Sequence, residues 1–202
     1  PAPDATTLMR FNWNAAIAQD PFDKKTIYFG SQFLHKSTNK GASWKIISAD
    51  LTTNDSAKID QTNNGGLSVD ITGAENHCTI LAIAPSNVQK DLIWIGTDDG
   101  NVQFTANGGN TWNNVTANIT GLPKGAWIAQ VRTSTYNANE VFVVANNYRQ
   151  GDFAPYVFRT TDQGKTWTNI LSAAKVTGYA LTVIQDIAEP NLFFVGTEQG
   201  MF

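Results

Sequence analysis

The chain has 202 residues, of which 42% are hydrophobic and 11% aromatic, so it can bury a core and is not expected to be disordered. Its formal net charge of -3 creates no basic field for a phosphate backbone, which argues against nucleic acid as a partner. The single cysteine, Cys78, excludes an internal disulfide, and no apolar run is long enough to span a bilayer. Only 15% of the residues are charged, a composition common among exported bacterial proteins.

Short β-type segments occur in groups along the chain. Residues 1–10 are expected to be a lead-in. The first group, residues 11–48, contains four segments separated by turn residues, at 15–19, 26–30, 33–37 and 44–48. Four short strands joined by turns predict one four-stranded antiparallel sheet, which we take as the first repeated unit.

The later groups repeat this organisation after an interruption. Residues 49–77 are polar, Asn-rich and poor in apolar alternation, so we expect an inserted loop there and little helix anywhere else. Similar groups follow at 78–116 and 117–171, and residues 172–202 hold the beginning of a fourth. We therefore expect about three and a half units in one domain. Because an open sheet edge exposes unpaired backbone groups, we also expect the chain to be part of a longer protein.

One short pattern recurs before the last strand of each complete group. It reads Ser/Thr-x-Asp/Asn-x-Gly-x-Thr/Ser-Trp and suits a tight corner, since the Asp or Asn side chain can bind nearby amides and Gly can adopt a positive φ. The Trp that follows is expected to be a largely buried wedge between neighbouring sheets. The structural residues of the three corners are Ser37, Asn39, Gly41 and Trp44; Thr105, Asn107, Gly109 and Trp112; and Thr160, Asp162, Gly164 and Trp167.

The corner pattern resembles the Asp-box, or BNR repeat, of β-propellers such as sialidases, sortilin-type receptors, photosystem assembly propellers and xyloglucanases. The resemblance implies an all-β fold, namely a β-propeller of four-stranded antiparallel blades. A second marker, Gly followed by Ser or Thr at Gly30, Gly96 and Gly196, ends β-rich segments with the same period. Because the corner pattern and this second marker recur in step with each other along the chain, they favour propeller blades over an immunoglobulin-like sandwich.

Longer segments, among them 73–86, 93–112 and 155–167, resemble a family of large bacterial BNR-repeat proteins. That family is related to the sortilin N-terminal propeller and is often labelled glycosyl hydrolase-like. The resemblance covers nearly the whole chain. It implies an exported multi-blade propeller in the periplasm, on the outer surface or outside a bacterium, and it does not identify a reaction.

Ligand sites in propellers usually lie near the axis on the face opposite the corners. The connections between second and third strands and between consecutive blades meet on that side, which we call the loop face. Because these connections vary in length while the corners are nearly identical, we expect binding on the loop face and an inert scaffold at the corners. The candidate ligand-binding residues are Trp13, His77, Asp98, Asp99, Arg149, Asp152 and Glu198.

These candidates also have structural interpretations. Asp98 and Asp99 precede Gly100, which suits a hairpin turn. His77 suits a hydrogen-bonded structural histidine. Arg149 and Asp152 lie on one long connection and suit either a salt-bridged loop or a ligand contact.

The sequence assigns no catalytic residues. A sialidase needs three convergent arginines, but Arg159 directly precedes a corner and lacks the Arg-Ile-Pro context of that family. A glycosidase needs two carboxylates about 5–10 Å apart; Asp98 or Asp99 with Asp152 or Glu198 could supply them, yet no spacing selects a pair. Nothing resembles a nucleophile elbow or a clustered Cys/His site, and we expect neither a metal nor another cofactor.

Two functional hypotheses remain. The first is a non-catalytic, scaffold-type exported propeller that binds a protein, peptide or glycan on its loop face, with the remaining blades of the parent propeller as its other partner. The alternative is part of a glycoside hydrolase whose catalytic carboxylates are shared with blades outside this chain. A carboxylate pair in a cleft lined by Trp13, Trp127 or Tyr148 would favour the alternative.

Overall fold

The computed structural model describes residues 6–60, 75–171 and 175–202. Parts of the expected lead-in (1–5), of the inserted loop (61–74) and of the fourth unit (172–174) therefore lie outside the described residues. In these described ranges, fifteen strands form four antiparallel sheets. The first sheet consists of β1 (Ile17–Gln19), β2 (Ile27–Gly30), β3 (Leu34–Ser37) and β4 (Lys45–Ile46). The second consists of β5 (Ile80–Pro85), β6 (Ile93–Thr97), β7 (Val102–Thr105) and β8 (Asn113–Asn114).

The third and fourth sheets follow the same plan. The third consists of β9 (Trp127–Thr133), β10 (Val141–Asn147), β11 (Asp152–Thr160) and β12 (Thr168–Asn169). The fourth has three strands, β13 (Ala180–Gln185), β14 (Phe193–Thr197) and β15 (Gly200–Met201). Helical structure in the described residues is confined to α1 (Ser56–Ile59) and two single 3-10 turns, Thr116–Asn118 and Tyr148–Gln150. The prediction of an almost all-β chain is confirmed.

Within each sheet the strands are hydrogen-bonded in chain order. Across sheets, the first strands contact one another in sequence: β5 packs against β1 and β9, and β9 packs against β13. Such a series of meandering sheets, joined through their first strands, is the arrangement of propeller blades. The chain therefore has the fold of part of a β-propeller, as predicted.

The three corners share one hydrogen-bond pattern. In the third, Thr160 Oγ1 accepts from the Gly164 amide at 2.9 Å and donates to Asp162 Oδ1 at 2.8 Å. Asp162 Oδ1 also accepts from the Thr166 amide at 2.9 Å. The same contacts recur around Ser37 and Thr105. The corner glycines have positive φ values of 90°, 101° and 82°, which explains why the pattern requires Gly.

The second and third corners pack onto the sheet that precedes them in the chain. Trp112 donates through Nε1 to the carbonyl of Ile47 in the first sheet, at 3.2 Å. Trp167 lies edge-on to Trp94 of the second sheet, with 6.2 Å between ring centroids. Trp44 contacts Phe29 of its own sheet. The three Trp side chains are partly exposed, and Trp112 and Trp167 pack against the buried clusters between sheets.

Asp162 gives the third corner a predicted pH dependence. Thr166, through its hydroxyl and amide, and Thr160 hydrogen-bond to this carboxylate and lower its pKa from 3.8 to about 2. A depressed folded-state pKa stabilises the fold above about pH 4, and this contribution is lost as the pH falls through about 2. Asp162→Asn retains the corner geometry, as Asn39 and Asn107 show. The stability difference between Asp162→Asn and the parent chain should therefore shrink from pH 4 to pH 2, and a difference independent of pH would contradict this.

The hydrophobic core lies between adjacent sheets. One buried cluster joins the first and second sheets, another joins the second and third, and a third joins the third and fourth. The cluster between the second and third sheets is centred on Trp94, whose side chain is fully buried. Among the described residues, no further sheet covers the outer side of the fourth sheet, where Leu181, Ile184 and Phe194 are exposed. This stacking fixes the positions of the loops on the loop face.

Candidate functional site

Asp98 directly follows β6 and lies inside the fold, beside the segment that leads into β5. Its side chain is 0% exposed, and it accepts from the Thr79 amide at 2.8 Å and the Thr79 hydroxyl at 2.7 Å. A further donor is Asn12 Nδ2, at 3.3 Å. The carboxylate therefore fixes the start of β5 and the segment before β1, and it cannot contact a large ligand directly.

Asp99 is also enclosed. Its Oδ2 accepts from the amide and hydroxyl of Thr53 at 2.7 and 2.8 Å, and its Oδ1 accepts from the Thr97 hydroxyl. Cys78 lies beside it, and burial, with the Asp99 charge second, raises the pKa of this thiol to about 12. Asp99 therefore anchors the segment before α1 to the second sheet.

His77 connects this buried region to the surface. Its Nδ1 lies 3.4 Å from Asp98 Oδ2, and its ring is tilted against that of Trp127 with 6.4 Å between centroids. Trp127 begins β9, so the contact bridges the second and third sheets. Trp13 follows Asn12 in the segment before β1 and is 72% exposed. His77 is thus oriented by a buried carboxylate toward the loop face.

Arg149 lies between two aromatic rings. Its guanidinium carbon is 3.3 Å from the Trp127 ring centroid and 4.4 Å from that of Tyr148. Tyr148 in turn lies 4.5 Å from Tyr179, and Tyr179 lies 6.2 Å from Phe153, both measured between centroids. Stacking on both sides immobilises a side chain that is otherwise flexible.

These side chains form a continuous series across the loop face. Its members come from the start of β9, the turn after β10, the start of β11 and the segment before β13. We call this series the aromatic row: Trp127, Arg149, Tyr148, Tyr179 and Phe153. Phe153 at its end is 54% exposed. An exposed row contributed by two sheets is a suitable surface for an extended ligand.

Asp152 and Glu198 lie near the row and differ in their surroundings. The Asp152 carboxylate accepts from Tyr156 at 2.8 Å and from Asn147 at 3.1 Å. Desolvation raises its pKa, but the Ala154 amide, Asn147 and Tyr156 lower it more, so that the net pKa is below the usual value. Glu198 is exposed, and its Cγ is 2.8 Å from the position that a side-chain carbon at Gly178 would occupy.

The structure brings some of the predicted residues together and separates others. His77 and Asp98 are in contact, and Arg149 joins them through Trp127. Asp99 is turned toward the segment before α1. Tyr179 and Phe153 were missed by the sequence reasoning. Each is an aromatic residue beside the start of a strand. This feature of the sequence became informative only when the packing of the third and fourth sheets placed the two residues side by side.

The corner side of the molecule has a groove between the first and second sheets. It has a volume of about 740 Å³ and is lined by Lys45, Ile47, Gly109 and Trp112, among others. It is an open channel along the outer strands, and it is the surface against which the loop face must be compared as a binding site.

In the part of the chain that the structure describes, no group of three or more His, Cys, Asp and Glu residues could hold a metal ion. Across residues 6–60, 75–171 and 175–202, no helix is long and apolar enough to cross a membrane.

The chain is similar to solved β-propeller proteins. An ancestral GH74 enzyme matches at 19% identity and a TM-score of 0.65, over 98% of this chain and 24% of that chain. YCF48 from Cyanidioschyzon merolae matches at 13% identity and a TM-score of 0.53, over 98% and 55%. The extracellular domain of BT3049, a putative hybrid two-component system of B. thetaiotaomicron, matches at 15% identity and 0.56, over 94% and 23%.

At these identities the similarity shows the fold alone, because unrelated functions share the propeller architecture. The chain spans 24%, 55% and 23% of those three proteins. No protein-family profile matches the chain, and no curated protein matches it. The fold and site together define a part of a β-propeller with an aromatic, cation-bearing loop face.

Proposed function

We propose that this chain is part of a non-catalytic, exported β-propeller that binds a protein, peptide or glycan on its loop face. The observation that carries the proposal is the aromatic row, in which Arg149 is held between Trp127 and Tyr148. Aromatic and Arg side chains that are rigid before binding lose little conformational entropy on contact with a ligand. The row is therefore suited to recognition.

The carboxylates support binding over hydrolysis. A glycosidase needs one carboxyl group that donates a proton and a second that attacks or activates water. Asp98 and Asp99 are buried among donors that occupy their oxygens. The pKa of Asp152 is lowered, which is the opposite of what a proton donor requires. Glu198 is the exposed carboxylate that remains among the candidates, so the hydrolase alternative would depend on a second carboxylate from other blades.

The finer assignments are also part of the proposal. We propose that the corners are Asp-boxes and that the chain belongs with the sortilin-like BNR-repeat proteins, because all three corners have the same hydrogen-bond pattern. We propose blades at 11–48, 78–116 and 117–171, a partial blade at 172–202 and an inserted loop at 49–77. Export is supported by the low charge content of 15%, and the remaining blades of the parent protein are the expected intramolecular partner.

Glycan and peptide arrays can test this function. Trp127→Ala removes the ring that supports Arg149, and we expect it to weaken binding of any array ligand about tenfold or more. Lys165→Ala, an exposed change at the third corner, is the matched control and should have no effect.

Binding that survives Trp127→Ala but is lost in Lys165→Ala would show that the loop face is not the binding face. Release of new reducing ends from a bound polysaccharide, lost on Glu198→Gln, would instead favour the hydrolase alternative. Thermal unfolding of each variant shows whether a loss of binding reflects a loss of folding.

A further inference from the structure

Arg149 differs from the other stacked or buried arginines in having no carboxylate partner. Arg10 pairs with Asp50 at 2.7 Å, and Arg159 pairs with Glu140. Within the described residues, no carboxylate oxygen lies within 4.0 Å of the Arg149 guanidinium. Among the described residues, its one hydrogen bond is a long contact of 3.4 Å with Asn146 Oδ1. Most of its five N–H donors are therefore free for a ligand.

A second cation lies on the same face. Lys58, in α1, places its Nζ 3.5 Å from the position that a side-chain carbon at Gly125 would occupy. Gly125 is two residues before Trp127, so Lys58 and Arg149 both lie close to the start of β9. Lys58 is exposed and has no ion-pair partner in the described part of the chain.

The stacking of Arg149 also favours an anion. Its guanidinium lies over the Trp127 and Tyr148 rings, and a guanidinium that stacks through its face keeps its N–H donors in the plane of the group. Those donors can match the two oxygens of a carboxylate.

We propose that the aromatic row, with Lys58, binds an acidic polysaccharide through the carboxylates of its uronate units. This inference rests on the proposed function and adds the ligand class to it. The series from His77 through Trp127 to Phe153 crosses the loops of successive sheets, which suits a long polymer. Trp13 and Phe153 are 72% and 54% exposed and offer apolar surface to the C–H faces of sugar rings. A uronate combines such a face with a carboxylate, whereas acidic peptide side chains do not.

The test compares three polymers by isothermal titration calorimetry with the whole chain. The probes are polygalacturonate, its fully methyl-esterified form and poly-L-glutamate. Esterification removes the charge and keeps the sugar ring, so it isolates the carboxylate. We expect polygalacturonate to bind at least about tenfold more tightly than the ester, because a charge-assisted bidentate contact is lost.

Matched variants assign the effect to residues. Arg149→Gln should remove most of the preference for the charged polymer, and Lys58→Gln should reduce it. Lys165→Gln at the corner carries the same change of charge and should leave the preference intact. Equal melting temperatures exclude a loss of folding, and weaker binding at high salt is expected for a contact of this kind.

Each other outcome overturns the inference in a recognisable way. Equal affinity for the ester, still lost in Trp127→Ala, would leave the loop face as the binding face but remove the carboxylate claim. Arg149-dependent binding of poly-L-glutamate alone would identify an acidic polypeptide as the partner. No binding of any of the three probes would refute the acidic-glycan assignment, while the arrays would still decide the proposed function.

Discussion

Trp94→Ala is expected to lower the free energy of unfolding by about 3–5 kcal/mol, the usual cost of emptying a buried aromatic site. Trp94 is 0% exposed. Its ring stacks on Phe104 at 4.5 Å and meets Trp167 of the third sheet at 6.2 Å. The cavity would therefore open between the second and third sheets, and neither sheet alone could move to fill it. Urea unfolding measures the change.

Two variants serve as controls for Trp94→Ala. Phe194 occupies the equivalent position, two residues before the Gly of its second strand, but it is 36% exposed. Phe194→Ala should cost only about 1–2 kcal/mol because less area is removed from water. Trp94→Phe should cost less than Trp94→Ala, since the Trp94 Nε1 has no hydrogen-bond partner within the described residues. Equal losses for Trp94→Ala and Phe194→Ala would show that the interface between the second and third sheets is not the main core.

Gly96→Ala is expected to destabilise the same interface by overpacking, by about 1–3 kcal/mol. A side-chain carbon at Gly96 would lie 2.8 Å from Cβ of Ile128 and closer still to its Cγ2. Ile128 is fully buried in β9 of the next sheet, so it cannot move aside. The close approach of β6 and β9 therefore requires Gly.

Gly196→Ala is the matched control for this second prediction. The equivalent glycine of the fourth sheet would meet only Thr182 of its own sheet, at 2.8 Å from Cγ2. Thr182 is exposed and can shift. A loss of stability in Gly196→Ala as large as that in Gly96→Ala would mean that contact between sheets is not the cause.

The corners could be predicted from sequence because their contacts are local. Each bond from Thr160 or Asp162 spans at most four residues, so the pattern of residue types almost determines the geometry. The exposed fraction of the Trp44, Trp112 and Trp167 side chains could not be predicted in the same way. It depends on how far the outer edge of each sheet extends beyond the neighbouring sheet.

The loop face was only partly predictable for a similar reason. Asp98 and Asp99 were candidates as exposed turn residues, but contacts with Asn12 and Thr53, which are 86 and 46 residues away, enclose them. The long connection predicted between Ala145 and Pro155 is wrong, because β10 and β11 extend into it and leave only residues 148–151 between them. The stacking of Arg149 in this short turn requires Trp127 from β9. Contacts between distant segments are set by packing, which local patterns do not encode.

Hydrogen–deuterium exchange with the tightest-binding array probe tests the central claim, that the loop face is the binding face. We expect slower exchange on binding at residues 76–79, 125–128 and 146–153, which carry His77, Trp127 and the Tyr148–Phe153 part of the row. Residues 38–44, 106–112 and 161–167, which form the corners, should exchange at unchanged rates. Protection confined to those corners, or to the groove between Ile47 and Trp112, would contradict the account.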